Sequence, residues 1–416
     1  MISNNHMAGS VEESESSVVR YKYLPVVLSR GQGPHLWDVA GNCYLDLTGS
    51  SGTNILGHQE RRTTLAAIAA LADGGFLFDG RSADELAVGE TLARLYQAEE
   101  VQFFRTGSCA TSAAVKAMRI ASGKDRVLTS GYHGWHDWAA EQVDYPDKSR
   151  VIDFSYDLSV LRELLKEGDI SGVIVTLLAH TLAPSYWREL KELTRSAGVF
   201  LAIDEIKTGV RYGLGGMTRS VGVTPDITLL SKGLTNGMAL SAFADHSGLL
   251  KFAARTNLGG TYRTERAPFA AALAMLNLLE HEPGIFDHLT RITDQFVRGM
   301  NAVLEEKGFG AAVFGRFGDL EFVCEGPTLW DELRVAGLEV GLFLPDDGNI
   351  MLTAAHQPEH IDTAIEALGS ALARCAGART DSTGGRVTAA AFQREYGLSS
   401  RQIEEWGTPE VQAALH

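Results

Sequence analysis

Cysteine is scarce in this 416-residue chain. There are four, Cys43, Cys109, Cys324 and Cys375, with no C-x-x-C pair and no zinc-finger spacing to histidine. That excludes a disulfide scaffold and points to a reduced, cytoplasmic setting. Long apolar runs are missing as well. No stretch approaches the about 18 apolar residues of a membrane helix, so none is expected. The opening MISNNHMAGSVEESESS lacks a basic region followed by an apolar one, and reads as a polar tail rather than a secretory signal. Basic residues are in deficit, with 37 Lys and Arg against 52 Asp and Glu and a net charge of −15. General binding to nucleic acid or anionic membrane rewards the opposite balance. Proline is rare at 11, while glycine reaches 44 and hydrophobic residues 45%. The composition is that of a folded α/β chain with many tight turns, long enough for one large unit and a smaller one.

Short strands punctuated by glycine are expected over 24–48. Helices follow at 65–71 and 83–96. Short apolar strands then alternate with helices: strands at 101–104, 126–129, 151–154, 172–178, 199–203 and 227–230, helices at 108–121, 158–166 and 186–196. That alternation predicts a largely parallel sheet covered on both faces. Long helices at 268–280 and 286–307 lead into strands at 312–314, 320–324 and 350–353 and a helix over 358–375. The expected division is a tail at 1–20, an N-terminal segment at 21–60 joining a small domain, a large domain at 61–285 and the C-terminal small domain at 286–375. A linker and helical tail occupy 376–416.

Four segments carry chemistry. In FFRTGSCATSAAVKAMRIASG (103–123), a strand runs through Gly107 and Ser108 into an Ala-rich helix. The free N–H groups and positive end of such a helix suit a phosphate, although a plain helix cap has the same appearance. YHGWHD (132–137) places an aromatic and two histidines after a strand. No third ligand stands at metal spacing, so no metal is expected. FLAIDEIKTGVRYG (200–213) ends a buried strand in Asp204 and Glu205, where α/β sheets bind ligands. PDITLLSKG (225–233) brings Lys232 to the same sheet edge. A lone lysine is normally a surface charge; near an apolar crevice it becomes a nucleophile toward carbonyls. Together these describe a pyridoxal phosphate site, with phosphate turn, stacking aromatic, acid for the pyridine nitrogen and Schiff-base lysine.

From about residue 26 to 372 the chain resembles the class III, fold-type I pyridoxal-phosphate aminotransferases, and looks closest to glutamate-1-semialdehyde aminomutase-like members. The matching motifs are RGQGPHLWDVAGNCYLDL, ILGH (55–58), TGSCAT (106–111), YHG (132–134), DEIKTGVRYGLGG (204–216), PDITLLSKG, GGTYR (259–263) and AAH (354–356). The resemblance implies a fold-type I transferase: a large domain with a mainly parallel sheet, plus a smaller α/β domain built from both chain ends. It implies that Lys232 forms the Schiff base and moves the proton, and that Asp204 pairs with the pyridine nitrogen. Tyr132 would pack on the ring and Ile206 on its other face. Gly107 and Ser108 would hold the phosphate, with Thr261 of the partner subunit completing it, so a homodimer with shared sites is implied. The implied reaction moves an amino group from a small-molecule donor to an aldehyde or ketone. The alternatives are a 2,1-aminomutase or another carbanion reaction: racemase, decarboxylase or lyase.

The departures from the family pattern fall in substrate-contacting regions. Cys109 replaces a glutamate. The stretch LLAHTLAPSYW lacks a Glu-Pro pair. The loop after YHG is shortened to about 138–149. Ser50-Ser51-Gly52-Thr53 and Thr264–Pro268 also differ from it. A substrate other than glutamate semialdehyde is therefore expected. Arg30 and His180 are candidate substrate contacts, with Arg81, Arg211 and Arg263 as further carboxylate partners.

Overall fold

The computed structural model describes residues 26–139, 150–178, 181–253, 258–326, 328–375 and 387–415. Its centre is a seven-stranded sheet in the order Glu100–Phe104, Ser241–Asp245, Ile227–Leu230, Phe200–Asp204, Ile170–Thr176, Arg126–Ser130, Val151–Asp153. The last five strands pair in parallel, and Ser241–Asp245 runs antiparallel to both of its neighbours. Glu100–Phe104 therefore runs in the same direction as the five. Six strands end at one edge.

The sequence dictates this arrangement through apolar runs. Ile227–Leu230 is buried at every residue, as a strand covered on both faces must be. The helix Gly107–Ser122 lies against the sheet through Ala110, Ala113, Ala114, Ala117 and Met118. Small alanines let its backbone come close. Thr106 caps it by accepting from the Cys109 N–H at 3.3 Å, and Gly123 ends it in the left-handed conformation at φ 68°.

A second sheet holds Leu28–Gln32, His35–Asp38 and Cys43–Asp46, joined in parallel by Leu342–Phe343 from far along the chain. A third, antiparallel sheet holds Ala311–Arg316, Asp319–Cys324 and Asn349–Met351. The helices Gly284–Lys307 and Pro358–Leu372 pack beside it. Helices Ala389–Tyr396, Ser400–Trp406 and Pro409–Ala414 complete the described chain. The expected linker at 376–385 lies outside the described residues, as do 140–149 of the shortened loop.

Candidate active site

The carboxyl ends of six parallel-running strands converge on one cavity of about 670 Å³. The end at Phe104 brings Gly107 and Ser108, that at Leu230 brings Ser231 and Lys232, and Phe200–Asp204 brings Asp204 and Ile206. The end at Ser130 brings Gly131 to Gly134, Thr176 closes its own strand, and Asp153 and Ser155 finish the edge. This is the crevice position at which open α/β sheets bind ligands. A second cavity of about 540 Å³, lined by Arg81, Glu85, Phe103 and Arg263, contains none of these strand ends.

Lys232 opens a 3-10 turn with φ at 39°, a strained backbone setting for a side chain of its size. The Ser231 hydroxyl, donating to the Leu240 carbonyl at 2.7 Å, holds the approach to it. Burial, and then the neighbouring charge of Lys207, hold the Lys232 ammonium below the ordinary lysine range. Lys207 itself is committed elsewhere. It pairs with Asp319 at 3.2 Å and Glu321 at 3.3 Å.

Asp204 is 4% exposed and carries its carboxylate into the cavity wall. One oxygen accepts the Ile206 N–H at 3.0 Å, and the other lies 2.9 Å from His133 Nδ1. His133 Nε2 lies 3.1 Å from the Ser130 carbonyl, so the ring is held through both of its nitrogens. Trp138 stacks on that ring at 5.8 Å. Asp204 is thus fixed in position while an edge of it faces the cavity.

Gly107 and Ser108 stand at the start of their helix, where N–H groups lack helical partners. A Cβ on Gly107 would lie 2.7 Å from Ile206 Cδ1, and one on Gly134, held at φ 93°, would run into the Ser108 side chain. Both glycines keep the cradle open for a group seated against backbone. Tyr132 lines the same cavity at 55% exposure. Burial and then the Asp204 charge raise its phenol pKa. A planar ring with a phosphate and a basic nitrogen fits this set of an N–H cradle, a fixed carboxylate, flanking Tyr132 and Ile206, and a desolvated lysine.

Of the residues expected at the site, Lys232, Asp204, Gly107, Ser108, Tyr132 and Ile206 all line this cavity. Thr261 does not line it; it is exposed at the start of the 3-10 turn Thr261–Thr264. Arg30 lies over the Trp37 ring at 4.1 Å, away from the cavity. Arg211 is fully buried and donates to the Leu352 and Asn54 carbonyls at 2.8 and 3.2 Å, a structural duty. His180 lies outside the described residues. The motifs did not single out the link from His133 to Asp204, nor Lys207, Glu321, Asp347 and Glu395, which also line the cavity. A carboxylate-rich lining drawn from five separate segments leaves no spacing signature.

Comparison with known proteins agrees with this geometry. Residues 16–140 and 164–372 match the aminotransferase class-III family. The chain is 38% identical over 363 residues to a 2'-deamino-2'-hydroxyneamine transaminase of Streptomyces kanamyceticus, covering 84% of this chain and 91% of that protein. It is 30% identical over 413 residues to a glutamate-1-semialdehyde 2,1-aminomutase of Thermus thermophilus, covering 88% and 96%. The fold superposes on an omega-transaminase from Sphaerobacter thermophilus with a TM-score of 0.78 at 23% identity, covering 85% of this chain and 92% of the other. With a family match across most of the chain and a cavity whose donors suit the family's cofactor, the chain belongs to the class III aminotransferases, which depend on pyridoxal phosphate.

Proposed function

We propose that the reacting centre is the cavity shared by Lys232 and Asp204, in a homodimeric enzyme that transfers an amino group from a small-molecule donor to an aldehyde or ketone. The observation that carries this reading is the pairing itself, a desolvated lysine and a fixed carboxylate on one cavity where the strand ends meet.

Pyridoxal phosphate bound there supplies an electron sink for the bonds at the substrate's α-carbon. Lys232 anchors it covalently. The amine of Lys232 would also move a proton at the substrate's α-carbon. Its lowered pKa leaves more of it as free base for that work. Asp204 would pair with the pyridine nitrogen, and His133 and the Ile206 N–H hold the carboxylate in place. Gly107 and Ser108 would take the phosphate at the helix start, and Tyr132 and Ile206 would flank the ring. Thr261 of the partner subunit completes the phosphate site. An exposed apolar surface beside Thr261 supports the dimer. Phe76 is 70% exposed and Tyr262 65%, and Leu77 bridges to Glu265. Four free cysteines suit a reducing, cytoplasmic setting.

The Streptomyces relative is a transaminase of an amine-bearing small molecule by its name. A carbonyl on a polar small molecule is the acceptor proposed here. A panel of amino donors and carbonyl acceptors, with new amines identified by mass spectrometry, tests the reaction class. Amino transfer between two different molecules is expected. Rearrangement within one molecule, with no external donor consumed, would replace this reading with an aminomutase.

A further inference from the structure

The family match ends at residue 372, and the segment 387–415 lies beyond it. That segment is built into the molecule. Val387, Phe392, Leu398, Ile403 and Val411 are fully buried, in a core shared with Phe314, Tyr186 and Leu158. Phe392 stacks on Phe314 at 5.5 Å, and Trp406 meets Tyr186 edge-on at 5.8 Å. On the large-sheet side, Gln402 Nε2 donates to the Ser155 carbonyl at 2.9 Å, and the Ala183 N–H to the Trp406 carbonyl at 2.7 Å. On the small-sheet side, Arg394 donates to the carbonyls of Cys324 and Glu325 at 2.7 and 3.1 Å. The segment therefore spans both sides of the cavity, and Glu395, Tyr396 and Gly397 form part of its lining.

The charges on that lining are unbalanced. Five carboxylates, Asp153, Asp204, Glu321, Asp347 and Glu395, face two lysines, and no arginine from the described residues lines the cavity. Asp153 accepts from the Ser130 hydroxyl, Asp204 is held by His133, and Glu321 shares Lys207 with Asp319. Asp347 accepts the Asn349 N–H at 3.1 Å. Among the described residues, no lysine or arginine forms an ion pair with Asp347 or Glu395. Arg394, next to Glu395, is turned to backbone carbonyls.

We propose that the C-terminal segment is the substrate-selecting wall of the cavity, where Glu395, with Asp347 beside it, receives an ammonium group that the substrate carries in addition to its reacting amine or carbonyl. The inference rests on the Lys232 cavity being the reacting centre, and it names the substrate class: small molecules with two or more amines. A substrate ammonium there would meet two carboxylates of the cavity lining that form no ion pair with a lysine or arginine among the described residues. Burial, and then the charges of Glu321 and Asp347, push the Glu395 carboxyl up to about 7 against the opposing pull of Arg394.

The test uses diaminoalkanes of three to six carbons and the matching monoaminoalkanes. Binding is measured by calorimetry on the enzyme in its aminated-cofactor form, which does not react with amines. KM and kcat are measured in turnover. The best diamine is expected to bind about tenfold more tightly than its monoamine, the scale of one charge-assisted hydrogen bond. In Glu395→Gln that advantage falls to about twofold through a raised KM, with monoamine binding and melting temperature unchanged. An equal diamine preference in Glu395→Gln, or no preference in the native enzyme, overturns the proposal. Failure of the Lys232 reading shows itself separately, as covalent cofactor on another lysine while the binding preference persists.

Discussion

Asp204 and Glu205 are adjacent in sequence yet do different work. Successive residues leaving a strand point to opposite faces, so Asp204 faces the cavity. Glu205 is buried on the other side and caps the helix Gly216–Val221. Its carboxylate accepts the Met217 N–H at 2.6 Å and the Thr218 N–H at 2.8 Å. Two acids at the end of a buried strand were legible in the sequence. Their division of labour was not, because the turn at the strand end decides it. His133 was legible as part of an aromatic loop, but its bond to Asp204 joins positions 71 apart. If the charge of Asp204 matters through the pyridine nitrogen, Asp204→Asn should lower kcat by roughly a hundredfold. Cofactor should stay bound through its phosphate. His133→Ala, which only loosens the carboxylate, should cost roughly tenfold. Steady-state kinetics alongside cofactor content checks both, and an unimpaired Asp204→Asn enzyme would remove Asp204 from the chemistry.

Among the elements, the helix Ala83–Tyr96 and the strand Ile227–Leu230 are legible to the residue, since each has one clear period and clear ends. The strand Ser241–Asp245 was not foreseen. Its five residues are all buried, but Ser241 and Asp245 at its ends mask the apolar run. The 387–415 segment was legible as helical, while its docking depends on distant Phe314 and Tyr186. Phe392 is the centre of that docking, fully buried between Phe314 and Tyr396. Phe392→Ala should cost about 3–5 kcal/mol if the segment folds with the rest as one unit. Denaturant unfolding, followed with turnover on the same samples, measures it. A single transition at lowered midpoint is expected. An unchanged midpoint would make the segment an independent appendage.

At the scale of the whole molecule, the exposed patch beside Thr261 is the surface that the proposed dimer would cover. The 76–78 stretch and the Thr261 turn lie together, with the Thr264 hydroxyl donating to the Phe78 carbonyl at 2.7 Å. Sedimentation should show a dimer. Replacing Phe76 and Tyr262 by aspartate should yield monomers that hold pyridoxal phosphate more weakly, since in the proposed dimer Thr261 of the partner subunit reaches the phosphate. Monomers with undiminished cofactor affinity would argue for self-sufficient sites. The cavity also holds two lysines, Lys207 and Lys232, and its chemistry turns on which one bonds the cofactor. Lys207 is held charged by Asp319 and Glu321, and Lys232 is desolvated and depressed. Borohydride reduction of the native enzyme, followed by peptide mapping, decides between them. The phosphopyridoxyl mass is predicted on Lys232 alone, and its appearance on Lys207, or on no lysine of this cavity, would contradict the assignment.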